Sequence, residues 1–226
     1  KQSVSDKKYL VPFILITSLF FLWGFARAIL DVLNKHFQNA LHISITQSAM
    51  IQVTTYLGYF LMAIPAGIFI NKYGYRRGVV FGLLLFGLGA IFFIPGAWIG
   101  SFSAFLFCLF VIGCGLVFLE TAANPYVTEL GARETATSRL NLSQSFNGLG
   151  SIFATFCIGQ FLFNDTQQGG NVVIPYAILG ILVLAIAVVF SRVDLPEIQH
   201  QQTQEDKAKG SNIAKLFANH RMFVFG

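Results

Sequence analysis

Two acidic side chains fall in stretches of the chain otherwise suited to lipid: Asp31 within Phe25–Leu33 and Glu120 within Phe118–Ala123. Placing a carboxylate inside a bilayer costs roughly 3 kcal/mol or more. Acids in such positions are therefore expected to take up a proton, bind a polar solute, or do both. Arg27 lies four residues before Asp31, so the two share one helix face and form either a structural ion pair or a solute-binding pair. Glu120 has no basic neighbour in sequence. Low dielectric disfavours a bare carboxylate, so this carboxyl is expected to take up and release a proton. Its alternative role is a neutral hydrogen-bonding group between helices.

Polar side chains around the acids extend the pattern. Asn124 precedes Pro125, a residue that removes a backbone donor and is expected to kink the helix; Asn124 can serve the freed carbonyls or a solute. Asn141, Gln144 and Gly148 recur at spacings of three and four, with Asn147 beside them. Amides both donate and accept, which suits sugar hydroxyls, and equally suits bonds between helices. Trp23 can stack on a sugar ring or simply pack. For Gln52, Tyr56 and Tyr59, packing is the favoured reading.

These residues must be positioned by membrane helices. The chain is 55% hydrophobic and only 11% charged, with mean hydropathy +0.66; a soluble domain carries about 25% charge. Six spans are expected: from Tyr9 to about Leu33, within Ile43–Asn71, two within Gly78 to Glu120 separated at Pro95-Gly96 and Gly100-Ser101, Leu140–Asn164, and Val172–Ser191. No secretory signal peptide is recognisable. Thirteen of the fifteen Lys and Arg fall in the N-terminal segment, the even-numbered loops or the tail. That asymmetry predicts a cytoplasmic N-terminus and tail, and gives no reason to expect nucleic acid as a partner. Cys108, Cys114 and Cys157 sit in apolar runs and read as small buried hydrophobes, with no metal or disulfide implied. No cofactor is expected, and no enzyme motif is present.

The expected organisation is a six-helix bundle over residues 1–192, a polar cytoplasmic linker over 193–212, and the start of a second bundle over 213–226. The chain thus reads as part of a longer protein. This layout matches transporters in which each six-helix half comprises two inverted three-helix repeats.

The loop after span two reads Gly67-Ile-Phe-Ile-Asn71-Lys72-Tyr-Gly74-Tyr-Arg76-Arg77. It resembles the signature loop of major facilitator transporters, with Asn71 where an acid is usual. Gly67 is expected to allow close helix approach. Leu19-Phe-Phe-Leu-Trp23, Gly58-Tyr-Phe with Ile64-Pro-Ala-Gly67, Leu119-Glu-Thr-Ala-Ala-Asn-Pro125 and Arg139-Leu-Asn-Leu-Ser-Gln-Ser-Phe-Asn147 resemble the fucose–galactose–glucose:proton symporter family. The resemblance implies an all-α fold and import of L-fucose or a related neutral hexose across a bacterial inner membrane, with protons as coupling ion and a single copy as working unit. It implies Asp31 and Glu120 as the proton- and sugar-handling acids, and Gln144 and Asn147 as cavity residues. The family carries Asn-rich sequence before the span-one acid, where this chain has Arg27 and Leu30. An uncoupled facilitator for another polar solute, and a membrane sugar sensor that moves nothing, are the alternatives.

Overall fold

The computed structural model describes residues 9–40, 44–99, 101–164 and 173–193; of residues 30–40, 157–164 and 173–175, and of Ile45, Ser48 and Ala97, it describes the backbone only. Among the described residues there are seven α-helices and no strand: α1 (Leu10–Ala40), α2 (Ile45–Tyr73), α3 (Tyr75–Ile91), α4 (Phe93–Ile99), α5 (Phe102–Glu129), α6 (Ala136–Asn164) and α7 (Val173–Arg192). With α3 and α4 counted as one span, they supply the six segments expected from the sequence. The expected linker and second-bundle entry, from residue 194 on, lie outside the described residues.

Local chemistry sets the boundaries. Ser44 opens α2 with a reciprocal cap: its hydroxyl accepts the Gln47 N–H at 3.2 Å, and its own N–H donates to Gln47 Oε1 at 2.9 Å. Gly74, at φ 87°, closes α2 by donating to the Ile70 carbonyl and opens α3 in the same step. That φ is costly for any residue with a Cβ.

The break within the long apolar run differs from expectation. Pro95-Gly96 does not separate spans three and four; it lies inside α4. Pro95 lacks the N–H that would serve the Ile91 carbonyl, and the helix is interrupted one residue further on, at Phe92. Chain reversal comes later, between α4 and α5. By contrast, α5 runs through Pro125 as one helix to Glu129.

Leu10–Ile29, Ala49–Tyr73, Tyr75–Gly96 and Phe102–Glu129 are long and apolar enough to cross a membrane. The polar first half of α6 dilutes its hydropathy, yet its 29 residues span about 44 Å. In α7, the apolar stretch Tyr176–Arg192 is shorter.

The principal packing partners are α1 with α6, α2 with α5, α3 with α5, and α3 with α7. Split into two triples, the first helix of each lies along the second of the other, and the two third segments meet. That is the arrangement of two three-helix repeats, although α3·α5 has no equally extensive α1·α7 counterpart. Lipid tails are as apolar as Leu, so helix association rests on close packing. At the α1·α6 crossing, a Cβ on Gly24 would collide with the Asn147 backbone, and one on Gly150 with the Phe21 carbonyl. Phe93 stacks on Tyr176 at 3.8 Å to tie α4 to α7.

Candidate functional site

The site residues are distributed over α1, α2, α5 and α6. Arg27, on α1, is exposed and points Nη2 at the Tyr56 hydroxyl of α2, 3.4 Å away. Tyr56 and Tyr59 share a helix face, with ring centroids 6.2 Å apart. Glu120, half-buried on α5, is within electrostatic reach of Arg27, and both act on the Tyr59 hydroxyl. The α1–α2–α5 assembly thus brings a guanidinium within electrostatic reach of Glu120, which has no basic neighbour in sequence. Asp31 lies on α1 one turn beyond Arg27; its side chain is outside what the structure describes.

Trp23 is buried, with its ring 5.8 Å from that of Phe20. Its Nε1 and the Tyr59 hydroxyl lie close together but outside hydrogen-bond geometry, and among the described residues neither finds another partner. Two buried polar atoms near Glu120 are thus unsatisfied among the described residues, which is costly unless a polar group meets them.

One turn below Glu120, Asn124 accepts a hydrogen bond from Gln144 Nε2 at 3.1 Å, joining α5 to α6. Asn141, one turn away from Gln144, is exposed beside it. Asn147 sits on a different face. Its Nδ2 donates to the Phe20 carbonyl of α1 at 3.2 Å. Ser143 meets Thr17 at 3.1 Å, and the Ser151 hydroxyl donates to the Gly24 carbonyl at 3.1 Å. Residues 143, 147 and 151 form a ladder at spacing four toward α1, while 141, 144 and 148 lie on an exposed face, from which Gln144 reaches Asn124.

Tyr56 and Tyr59, favoured as packing residues in sequence, stand among the charged groups. Their spacing of three, level with a helix that carries an intramembrane Arg, was the available signal.

The signature loop is spread over several environments. Asn71 and Lys72 are exposed, with Lys72 Nζ 5.3 Å from the Tyr73 ring centre. Arg76 donates to the Ser191 carbonyl at the end of α7, 2.7 Å away, and Arg77 is exposed. Gly67 does not make the expected close approach within this bundle: a Cβ there would meet nothing within 4 Å. Gly58, nine residues earlier, makes it instead, where a Cβ would lie 2.8 Å from the Phe110 carbonyl. At Gly58 the faces of α2 and α5 meet, whereas Gly67 faces away from α5. Cys108 and Cys114 are free and buried; Cys157 has no described side chain.

Apolar helices at membrane length, with amides, a carboxyl and a guanidinium gathered on one side, define a multi-pass membrane protein. The Major Facilitator Superfamily model matches residues 16–225, and the chain belongs to that family. It is 37% identical over 225 residues to the L-fucose-proton symporter of Haemophilus influenzae, covering 88% of this chain and 53% of the relative. It is 36% identical over 217 residues to the glucose/galactose transporter of Brucella abortus biovar 1, covering 93% and 53%. The crystal structure of the major facilitator transporter FucP in the outward conformation matches with TM-score 0.75 at 36% identity, covering 93% of this chain and 57% of that one. The inward-open xylose transporter XylE of E. coli matches with TM-score 0.71 at 14% identity, a likeness of fold alone. The chain spans about half the length of the curated relatives it matches. It is the N-terminal half of a major facilitator fold.

Proposed function

We propose that this chain is the N-terminal half of a proton-coupled sugar symporter working by alternating access between two bundles. The observation that carries the reading is the grouping of Glu120, Arg27, Tyr56 and Tyr59 on three different helices, beside the Asn124–Gln144 amide pair. A carboxyl and a guanidinium within electrostatic reach of each other inside a membrane bundle can exchange proton and charge state at lower cost than either charge alone. Exposed amides beside them offer the donors and acceptors that a neutral sugar requires.

In this mechanism Glu120 takes a proton from the periplasmic side. Asp31 binds sugar hydroxyls and exchanges the proton state, and release to the cytoplasm resets both acids. The membrane is the bacterial inner membrane, with the N-terminus and the 193–212 segment cytoplasmic; residues 213–226 begin the second bundle. One proton moved through 100 mV supplies about 2.3 kcal/mol, enough to concentrate a neutral sugar about fifty-fold at one-to-one coupling. L-Fucose is the leading substrate because of the similarity to proteins named for it; glucose and galactose follow on the same ground. Arg27 stands where the symporter family has Asn-rich sequence, so it is proposed to contribute to substrate choice.

The test is a sugar panel added to energy-starved cells expressing the full-length protein, with external pH recorded. Alkalinisation with one sugar supports symport. Uptake without alkalinisation indicates a facilitator, and binding without counterflow in liposomes indicates a sensor.

A further inference from the structure

A second feature lies away from the polar site, on the outer side of α3. Arg77 heads a stripe of exposed residues that continues through Phe81, Leu84, Leu88 and Phe92, at spacings of four, three, four and four. At its charged end the stripe opens into a cleft of about 380 Å³ between α2, α3 and the end of α7. Phe69 and Phe81 stack there, ring centres 5.1 Å apart, as an apolar wall. Arg76 and Arg77 stand at the rim, and among the described residues no acidic side chain lines the cleft. The Arg76–Ser191 bond holds the end of α7 in place beside it.

Polarity therefore changes along the helix axis. The cationic end is at the first turn of α3, where unsatisfied backbone N–H groups and the positive helix terminus add to the field, and only apolar side chains follow. From Arg77 to Leu88 the axial rise is about 16 Å, close to the roughly 15 Å half-thickness of a bilayer's hydrocarbon core. A soluble anion would use the first turn alone. An occupant with an anionic head and a long apolar tail uses the whole stripe.

We infer that this face of α2, α3 and α7 is a binding site for an anionic phospholipid, with the phosphate at Arg77 and the cleft rim and an acyl chain along Phe81, Leu84 and Leu88. It is independent of which solute the protein moves.

The test is lipid retention by the full-length protein in neutral detergent, measured by native mass spectrometry with dioleoylphosphatidylglycerol and dioleoylphosphatidylcholine as probes. Phosphatidylglycerol is retained in preference. Arg77→Gln lowers that retention about fivefold, the effect of one surface charge near anionic lipid. Leu84→Gln, a change at an exposed position, lowers it as well, and excess inorganic phosphate does not displace the lipid. Equal or absent retention of the two lipids overturns the proposal, as it would if the second bundle covered this face. Displacement by phosphate, or undiminished retention by Leu84→Gln, overturns it in favour of a bare anion site.

Discussion

Arg139 is the one charged side chain fully buried among the described residues. Its guanidinium joins the end of α5 to the start of α6. Nε donates to the Val127 carbonyl at 3.1 Å, Nη2 to the Thr128 carbonyl at 2.6 Å, and Nη1 to the Ala132 carbonyl at 3.0 Å and the Thr135 hydroxyl at 2.6 Å. Three of the acceptors are backbone carbonyls: Val127 and Thr128 in the last turn of α5, where the i+4 helical donors run out, and Ala132 in the connection to α6; Val127 and Ala132 also accept the Leu130 and Thr135 N–H groups. Because α5 carries Glu120 and Asn124 while α6 carries Gln144 and Asn147, this clamp sets the register of the two helices. In Arg139→Met the side chain keeps most of its volume but loses every donor. Four lost bonds at about 1 kcal/mol net each predict a loss of about 3–5 kcal/mol. At 2–4 °C per kcal/mol for a domain of this size, the unfolding temperature of the full-length protein in detergent falls by about 10 °C. Arg139→Lys restores charge but not the planar fork, so it recovers only a minor share. Tryptophan fluorescence during thermal unfolding reads the shift, and sugar counterflow in liposomes reads its effect on the site. A melting temperature within 2 °C of the parent for Arg139→Met would refute the clamp; full rescue by lysine would show that charge alone matters.

The other expectations concern the site and the crossings that build it. Glu120→Gln abolishes uphill uptake while sparing exchange, and uphill transport at the parent rate in that variant removes Glu120 from the proton path. Asp31→Asn weakens or uncouples transport; an unaltered pH profile of uptake counts against its role. Arg27→Asn removes the charge facing Glu120 and the Tyr56 contact, and is expected to change the ranking of a sugar panel; an unchanged ranking makes Arg27 a structural partner. Gly58→Leu drives a side chain into the Phe110 backbone, where even a Cβ would sit 2.8 Å from the carbonyl. It should prevent accumulation of folded protein, and normal expression with a normal gel-filtration profile would contradict the close α2·α5 contact.

Much of the architecture is legible without coordinates because the membrane imposes simple rules. Backbone groups must be satisfied within each helix and side chains must be apolar for about 20 residues. Asp31 and Glu120 are conspicuous for the same reason: in a stretch from which charge is excluded, any acid stands out. Helix-start chemistry at Ser44 and the turn at Gly74 are local and could be read from neighbouring residues alone. Pro95 shows the limit of such reading. Its missing N–H is certain from sequence, but whether the chain reverses or merely interrupts a helix depends on packing, here the Phe93–Tyr176 stack that holds α4 against α7.

Tertiary structure decided which polar groups meet. Arg27 is four residues from one acid, and only the packing of α1 and α2 with α5 puts it within reach of the other, ninety-three residues away. The polar residues of α6 look alike in sequence, yet Asn147 turns to the α1 backbone while Gln144 turns to Asn124, because a helix has two usable faces and the crossing at Gly24 and Gly150 determines which is covered. Composition and periodicity say that a helix lies in the membrane; the rotation of that helix about its axis depends on the shapes of its neighbours, and it is rotation that assembles a site from residues far apart in the chain.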